Sequence, residues 1–285
     1  MRKIYSALAA MVFCTASWGQ DPVSDAMPFM QLEFSPVSLS MGGTQLATSA
    51  LVPLSDKTLR AGVSYLNYMP ELDGTQYVGL GVAGRLNRLG LSLGFARGKG
   101  AEISGEKYSP AEILLNAGAG YAFTDNLSAG VNLKYGREQI LPDYSHGAVA
   151  ADIFLAGRFG GFDFAGGVSS VGQKVKSEST GDFKLPAAAN LSFGYTAGEE
   201  HILNFRARGD YYFSGALAAG IGFEYSYAGV VALRAGYHYG ADSIIPDYMS
   251  LGAGLHFGEF CLDAAYLLGG DVLKNTLAVC AGVRF

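Results

Sequence analysis

The chain has 285 residues, 49% of them hydrophobic and only 16% charged, with 40 glycines and a formal net charge of −5. Its charged share is well below the usual ~25% and its glycine share about twice the usual one. No Gly-X-Y period runs through it, so a collagen-like chain is excluded. The acidic balance argues against a nucleic-acid partner, and no stretch after the first residues is long and apolar enough to cross a membrane as a helix.

In chain order, residues 1–19 read as a secretory signal peptide. Arg2 and Lys3 form the charged start, Tyr5 to Ala16 the apolar core, and Ser17-Trp18-Gly19 the small-residue cleavage site. Cleavage after Gly19 removes both cations and takes the formal charge from −5 to −7. Residues 20–57 lack sustained alternation but hold apolar side chains and the run Ser40-Met41-Gly42-Gly43. They are expected to form an irregular hatch or plug-like segment, with Phe29, Met30, Phe34 and Met41 buried inside or beneath whatever follows.

From residue 58 to 285 the hydrophobic pattern has a period of two. In the last ten residues Leu277, Val279, Ala281, Val283 and Phe285 alternate with small or polar residues. A strict period of two puts one strand face against an apolar medium and the other away from it. Fourteen such runs are expected, at 58–68, 74–85, 89–99, 113–123, 127–137, 148–158, 161–170, 186–197, 201–213, 216–227, 229–239, 248–258, 259–268 and 276–285. The connections alternate between short and long, and aromatic residues gather near both strand ends. This rhythm, behind an export signal, predicts an all-β fold: a transmembrane antiparallel β-barrel of about 14 strands.

Parity within the strands turns Lys134, Asp152, Arg206, Arg208, Glu224, Arg234 and Asp263 toward the lumen, since ionisable groups facing lipid are costly. These charges either line a polar passage or pair and brace the interior. A tight turn near Gly229 sets Glu224 opposite Arg234. Cys261 and Cys280 both point inward. A turn over Gly269 to Val272 would set them opposite each other, within reach of a disulfide; otherwise they are two small buried thiols.

Motifs for chemistry are weak. Gly79-Leu80-Gly81-Val82-Ala83-Gly84 matches G-x-G-x-x-G formally, but a strand pattern follows it where a dinucleotide site needs a helix. His146, His201, His238 and His256 are scattered without metal-ligand spacing. The chain therefore reads as non-enzymatic, with no catalytic residues, cofactor or metal.

Several pieces resemble one family. The run Phe29-Met30 to Phe34-Ser35-Pro36-Val37-Ser38-Leu39-Ser40-Met41-Gly42-Gly43 looks like the N-terminal signature of the PorV/PorQ outer-membrane proteins of Bacteroidota. Leu127-Ser128-Ala129-Gly130-Val131-Asn132-Leu133-Lys134 and Ala150-Ala151-Asp152-Ile153 are similar to two of its strands. Ser170-Val171-Gly172 with Lys184-Leu185-Pro186 resembles its loop, and Leu233-Arg234-Ala235-Gly236-Tyr237 and Leu262-Asp263-Ala264-Ala265-Tyr266 resemble two later strands. Ala50-Leu51-Val52-Pro53-Leu54 stands where the family usually carries Asn-Pro-Ala. The resemblance implies a FadL-type barrel of fourteen strands with an N-terminal hatch, in the outer membrane of a Gram-negative cell. It further implies an accessory of type IX secretion or surface-protein export, partnered by lipid and by secretion components or cargo proteins. The alternative is a FadL-like channel for small hydrophobic compounds.

Overall fold

The computed structural model describes residues 26–72, 74–102, 108–142, 144–175, 182–240 and 245–285. The signal-peptide reading of residues 1–19, and the first part of the 20–57 segment, lie outside the described residues.

Fourteen antiparallel strands close into one barrel: β1 Leu59–Tyr68, β2 Thr75–Leu86, β3 Leu89–Lys99, β4 Ala111–Ala122, β5 Leu127–Leu141, β6 Tyr144–Phe159, β7 Phe162–Gly172, β8 Ala188–Ala197, β9 His201–Tyr212, β10 Leu217–Tyr227, β11 Val231–Tyr239, β12 Tyr248–Phe257, β13 Phe260–Gly269 and β14 Leu277–Arg284. Each strand pairs with its neighbours in sequence, and β14 pairs with β1, so no edge is left open. None of the described helices is long and apolar enough to cross a membrane.

The alternation produces two different surfaces. In β10, Leu217, Ile221 and Phe223 are exposed on the outer wall, while Ala218, Gly220 and Gly222 are buried within. Around the barrel this leaves a continuous belt of exposed Leu, Val, Ile and Phe, as a lipid-facing surface requires.

One end carries short turns, such as Asn87 between β2 and β3 and Gly160 between β6 and β7, both with positive φ. The other end carries the longer connections. Two expectations need correction there. The long loop expected at 138–147 is strand instead: β5 and β6 continue their ladder past Glu138↔His146 to Leu141↔Tyr144. Hydrogen bonding, not apolar alternation, carries the strands beyond the lipid-facing belt. Second, the β13–β14 connection spans 270–276, longer than the turn assumed, and the register moves by two residues. Cys261 stands opposite Gly282, and Cys280 opposite Asp263. The two thiols are diagonal neighbours and are free.

The segment from Ala26 to Thr58 runs through the interior. It consists of a 3₁₀ turn (Pro28–Gln31), a short helix α1 (Pro36–Leu39) capped by the Ser35 hydroxyl, and a second 3₁₀ turn (Ser49–Leu51). The Ala26 N–H donates to the Lys184 carbonyl beside the long β7–β8 connection, and Arg158 near the short β6–β7 turn donates to the Leu54 carbonyl. The segment thus threads the barrel from the long-loop end to the short-turn end.

Candidate functional site

Two seats hold the N-terminal segment, and both are cut into the wall by glycine. At Met41-Gly42-Gly43, Gly42 and Gly43 have φ near +70°, and the backbone lies directly on β10–β12. A Cβ on Gly236 would come within 2.3 Å of the Gly42 nitrogen, and one on Gly42 within 2.4 Å of the Tyr237 carbonyl oxygen. The Gly42 N–H donates to the Ser250 hydroxyl at 3.3 Å. The second seat, at Ser49-Ala50, lies on β4 and β5. A Cβ on Gly120 would sit 2.2 Å from the Ser49 carbonyl oxygen, and the Ser49 hydroxyl reaches the Ala119 and Val131 carbonyls at 3.0 and 3.1 Å. Much of the glycine excess on the inner wall therefore makes room for another stretch of backbone.

Of the segment's apolar side chains, Phe29, Met30 and Met41 are buried, and Met41 is wholly inaccessible. Phe34 is half-buried and packs edge-on against Tyr77, ring centroids 5.3 Å apart.

The inward charges form pairs. Lys134 meets Asp152 at 2.9 Å, and Asp152 also accepts from the Ser170 N–H at 2.7 Å. Arg206 grips Asp163 through both terminal nitrogens, at 3.0 and 3.2 Å. Arg208 binds Asp210 at 2.9 Å and donates to the Gly43 and Gln45 carbonyls at 3.2 and 3.3 Å, tying wall to segment. Arg234 lies between Glu224, its register partner, and Asp263 at 2.8 Å, and His256 lies 3.3 Å from that same carboxylate. Strand parity as applied above did not single out Asp163 or Asp210, and His256 stood there only among the scattered histidines. The parity that picked out Arg206 and Arg208 also covers Asp210, two positions further along the same strand. Glu33, in the irregular segment, has no period to reveal it.

Between this segment and the opposite wall lies a cavity of about 390 Å³. Met30, Leu32, Phe34 and Leu46 form one side. The facing wall of β1–β3 presents Gly62, Ser64, Gly79, Gly81, Gly94 and Ala96. At Gly81 and Gly94 packing does not demand glycine, whereas a Cβ on Gly79 would press on the Ser64 hydroxyl and one on Gly62 would sit 3.2 Å from the Ala281 carbonyl oxygen. A Cβ on Gly81 would meet nothing within 4 Å, and one on Gly94 would rest 3.6 Å from Asn116 Cβ, an ordinary contact. Gly62, Gly81 and Gly94 are register neighbours across three strands, so the wall here is a single layer of backbone. On its outer face is a groove of about 710 Å³, flanked by Leu80, Val82, Leu93, Leu115 and Leu133.

Glu33 lines this cavity and also a small polar pocket next to it that holds Arg208, Asp210, His238 and Tyr248. Its carboxylate accepts from the Ser35 N–H at 3.0 Å. Desolvation deep in the barrel pushes the carboxyl above its ordinary range, opposed by that hydrogen bond and by the Arg208 charge. The side chain keeps accessible surface only because it borders the hollow. Among the described residues no group of three or more metal-ligating side chains comes together.

No protein-family model matches the chain, and no curated protein matches it. Solved structures do. The Ralstonia pickettii toluene transporter TbuX aligns with a TM-score of 0.64 at 12% identity, over 90% of this chain and 100% of that one. The CymD monoaromatic hydrocarbon channel aligns at 0.62 and 13%, over 88% and 97%. A Pseudomonas aeruginosa FadL homologue aligns at 0.55 and 12%, over 94% and 98%. At such identities the likeness establishes the fold alone, a closed fourteen-stranded barrel like those of these proteins.

Proposed function

We propose that the protein admits small hydrophobic compounds across an outer membrane, as a FadL-like channel. The observation that carries this reading is the interior cavity, whose volume falls within the ~300–1,000 Å³ of small-molecule sites and whose far wall lacks side chains where packing would tolerate them. Solved structures of similar fold include a toluene transporter and a monoaromatic hydrocarbon channel. On this reading a ligand enters at the long-loop end, rests against Phe34 and Leu32, and leaves across the glycine wall into the outer apolar groove. The 26–57 segment is the hatch that keeps the lumen closed to water, and residues 1–19 direct export and are removed. The test is uptake of radiolabelled toluene by intact Gram-negative cells, whose lipopolysaccharide leaflet resists hydrocarbons. Cells carrying the barrel should take it up faster than cells without it, and equal rates would refute the reading.

A second reading, accessory to type IX secretion in the manner of PorV/PorQ proteins, rests on the motif resemblance. Its strongest element, Ser38 to Gly43, is the part seated on β10–β12, and that seating explains these residues without a secretion partner. Recovery of secretion components or cargo with the barrel from native outer membranes would favour this second reading.

A further inference from the structure

The charges of the cavity and the pocket beside it, taken together, do not balance. Around them stand two cations, Lys134 and Arg208, and three carboxylates, Glu33, Asp152 and Asp210. Lys134 is matched to Asp152, and Arg208 to Asp210, each at 2.9 Å. Glu33 is left over. Among the described residues it is in no ion pair; its hydrogen bonds come from neutral groups of its own turn, the Ser35 N–H at 3.0 Å with the Ser38 hydroxyl and the Phe34 N–H beside it. None of these donors carries a charge, and a carboxylate accepts about four hydrogen bonds, so it can still take a cationic donor.

Such a group is costly deep in a protein unless something pairs with it. Arg208 lies close enough to act on it through space, but the guanidinium is taken up by Asp210 and by the Gly43 and Gln45 carbonyls. The rest of the lining is mainly apolar, with Leu32, Phe34, Leu46 and Phe154, interrupted by the neutral polar side chains of Gln31, Ser64, Asn116 and Ser169. A mainly apolar space with one carboxylate that lacks a cationic partner complements a small hydrophobic body with a cationic, hydrogen-bond-donating head. The same surplus negative charge repels anions, so hydrophobic acids of matching size are selected against.

We propose that the cavity takes small apolar amines, bound as ammonium ions with the charged head on the Glu33 carboxylate and the hydrocarbon body against Phe34 and the glycine wall. This rests on the small-molecule reading above and names the ligand class within it. The ammonium supplies the cationic donor that Glu33 lacks, and no covalent step is involved.

The experiment uses three probes of one shape: benzylamine, toluene and benzoate. Binding to the purified barrel in lipid nanodiscs is measured by equilibrium dialysis near neutral pH, with empty nanodiscs as the blank. Benzylamine should bind about tenfold more tightly than toluene, roughly 1.4 kcal/mol, and benzoate most weakly. Glu33→Gln, of nearly the same shape, should bring benzylamine to within about threefold of toluene, both measured on that variant. Should that variant fail to fold, judged by its heat-modifiable mobility, the wild-type ranking alone decides. Equal binding of amine and hydrocarbon, or a preference that survives Glu33→Gln, overturns the proposal while leaving hydrocarbon binding intact. If neither benzylamine nor toluene binds above the blank, the small-molecule reading itself fails and takes this inference with it.

Discussion

At the scale of single residues, Arg234 carries more than one partner. It is buried, with Glu224 on one side and Asp263 on the other. Replacing it by Met leaves Glu224 unpaired and Asp263 with His256 alone, and breaking a buried pair from one side costs about 3–5 kcal/mol. Arg234→Met should therefore lower the heat-modifiable unfolding temperature sharply. Neutralising all three groups, as Glu224→Gln, Arg234→Met and Asp263→Asn, should recover much of that loss, and strictly additive losses would contradict the arrangement. A cross-strand pair alone would be relieved by the double change, but Asp263 makes the triple change necessary. Glu33 makes an opposite prediction. Its carboxyl lies above the ordinary 4.5 in the folded barrel, so the folded state holds the proton more tightly than the unfolded one. Stability then falls as pH rises from 4.5 through the folded value. Glu33→Gln escapes this fall, so its unfolding temperature should gain on that of the wild type as pH rises across that range. A constant gap would contradict it.

At the scale of elements, glycine separates structural seats from open wall. Gly236→Ala drives a methyl into the Gly42 nitrogen, where the obstacle is backbone and cannot swing aside. It should destabilise by about 1–3 kcal/mol, as overpacking does. Gly81→Ala meets nothing and should leave the unfolding temperature within about a degree. Equal losses would show that the seat is not tight. Deleting 28–36 while keeping both seats should raise conductance to small solutes in planar bilayers, and unchanged conductance would remove that stretch from any closing role. The strands were legible because lipid on one side and lumen on the other impose a period of two on every run. The seats were not, because each joins a wall glycine to irregular backbone far away in sequence, and neither partner has a period of its own. The register at Cys261 and Cys280 failed for a related reason: alternation fixes which face a residue takes, while the 270–276 connection sets which residue lies opposite.

At the scale of the whole molecule, the barrel is a closed wall around a threaded segment, and the segment leaves one hollow unfilled. The inward charges lock strand to strand around it. The wall facing it is stripped to backbone across Gly62, Gly81 and Gly94, with an apolar groove behind. Composition announced the glycine; only the three-dimensional arrangement separates the glycines that seat the segment from those that leave space. The central claim is that this space is the path of a small hydrophobic compound. It is tested most directly by filling it. Radiolabelled toluene uptake by intact cells should be compared between wild type and Gly81→Leu/Gly94→Leu, at equal amounts of folded barrel in the outer membrane. The filled barrel should lose about nine-tenths of the uptake the wild type adds, in line with a barrier increase of roughly 1.4 kcal/mol. Undiminished uptake through the filled barrel would contradict it.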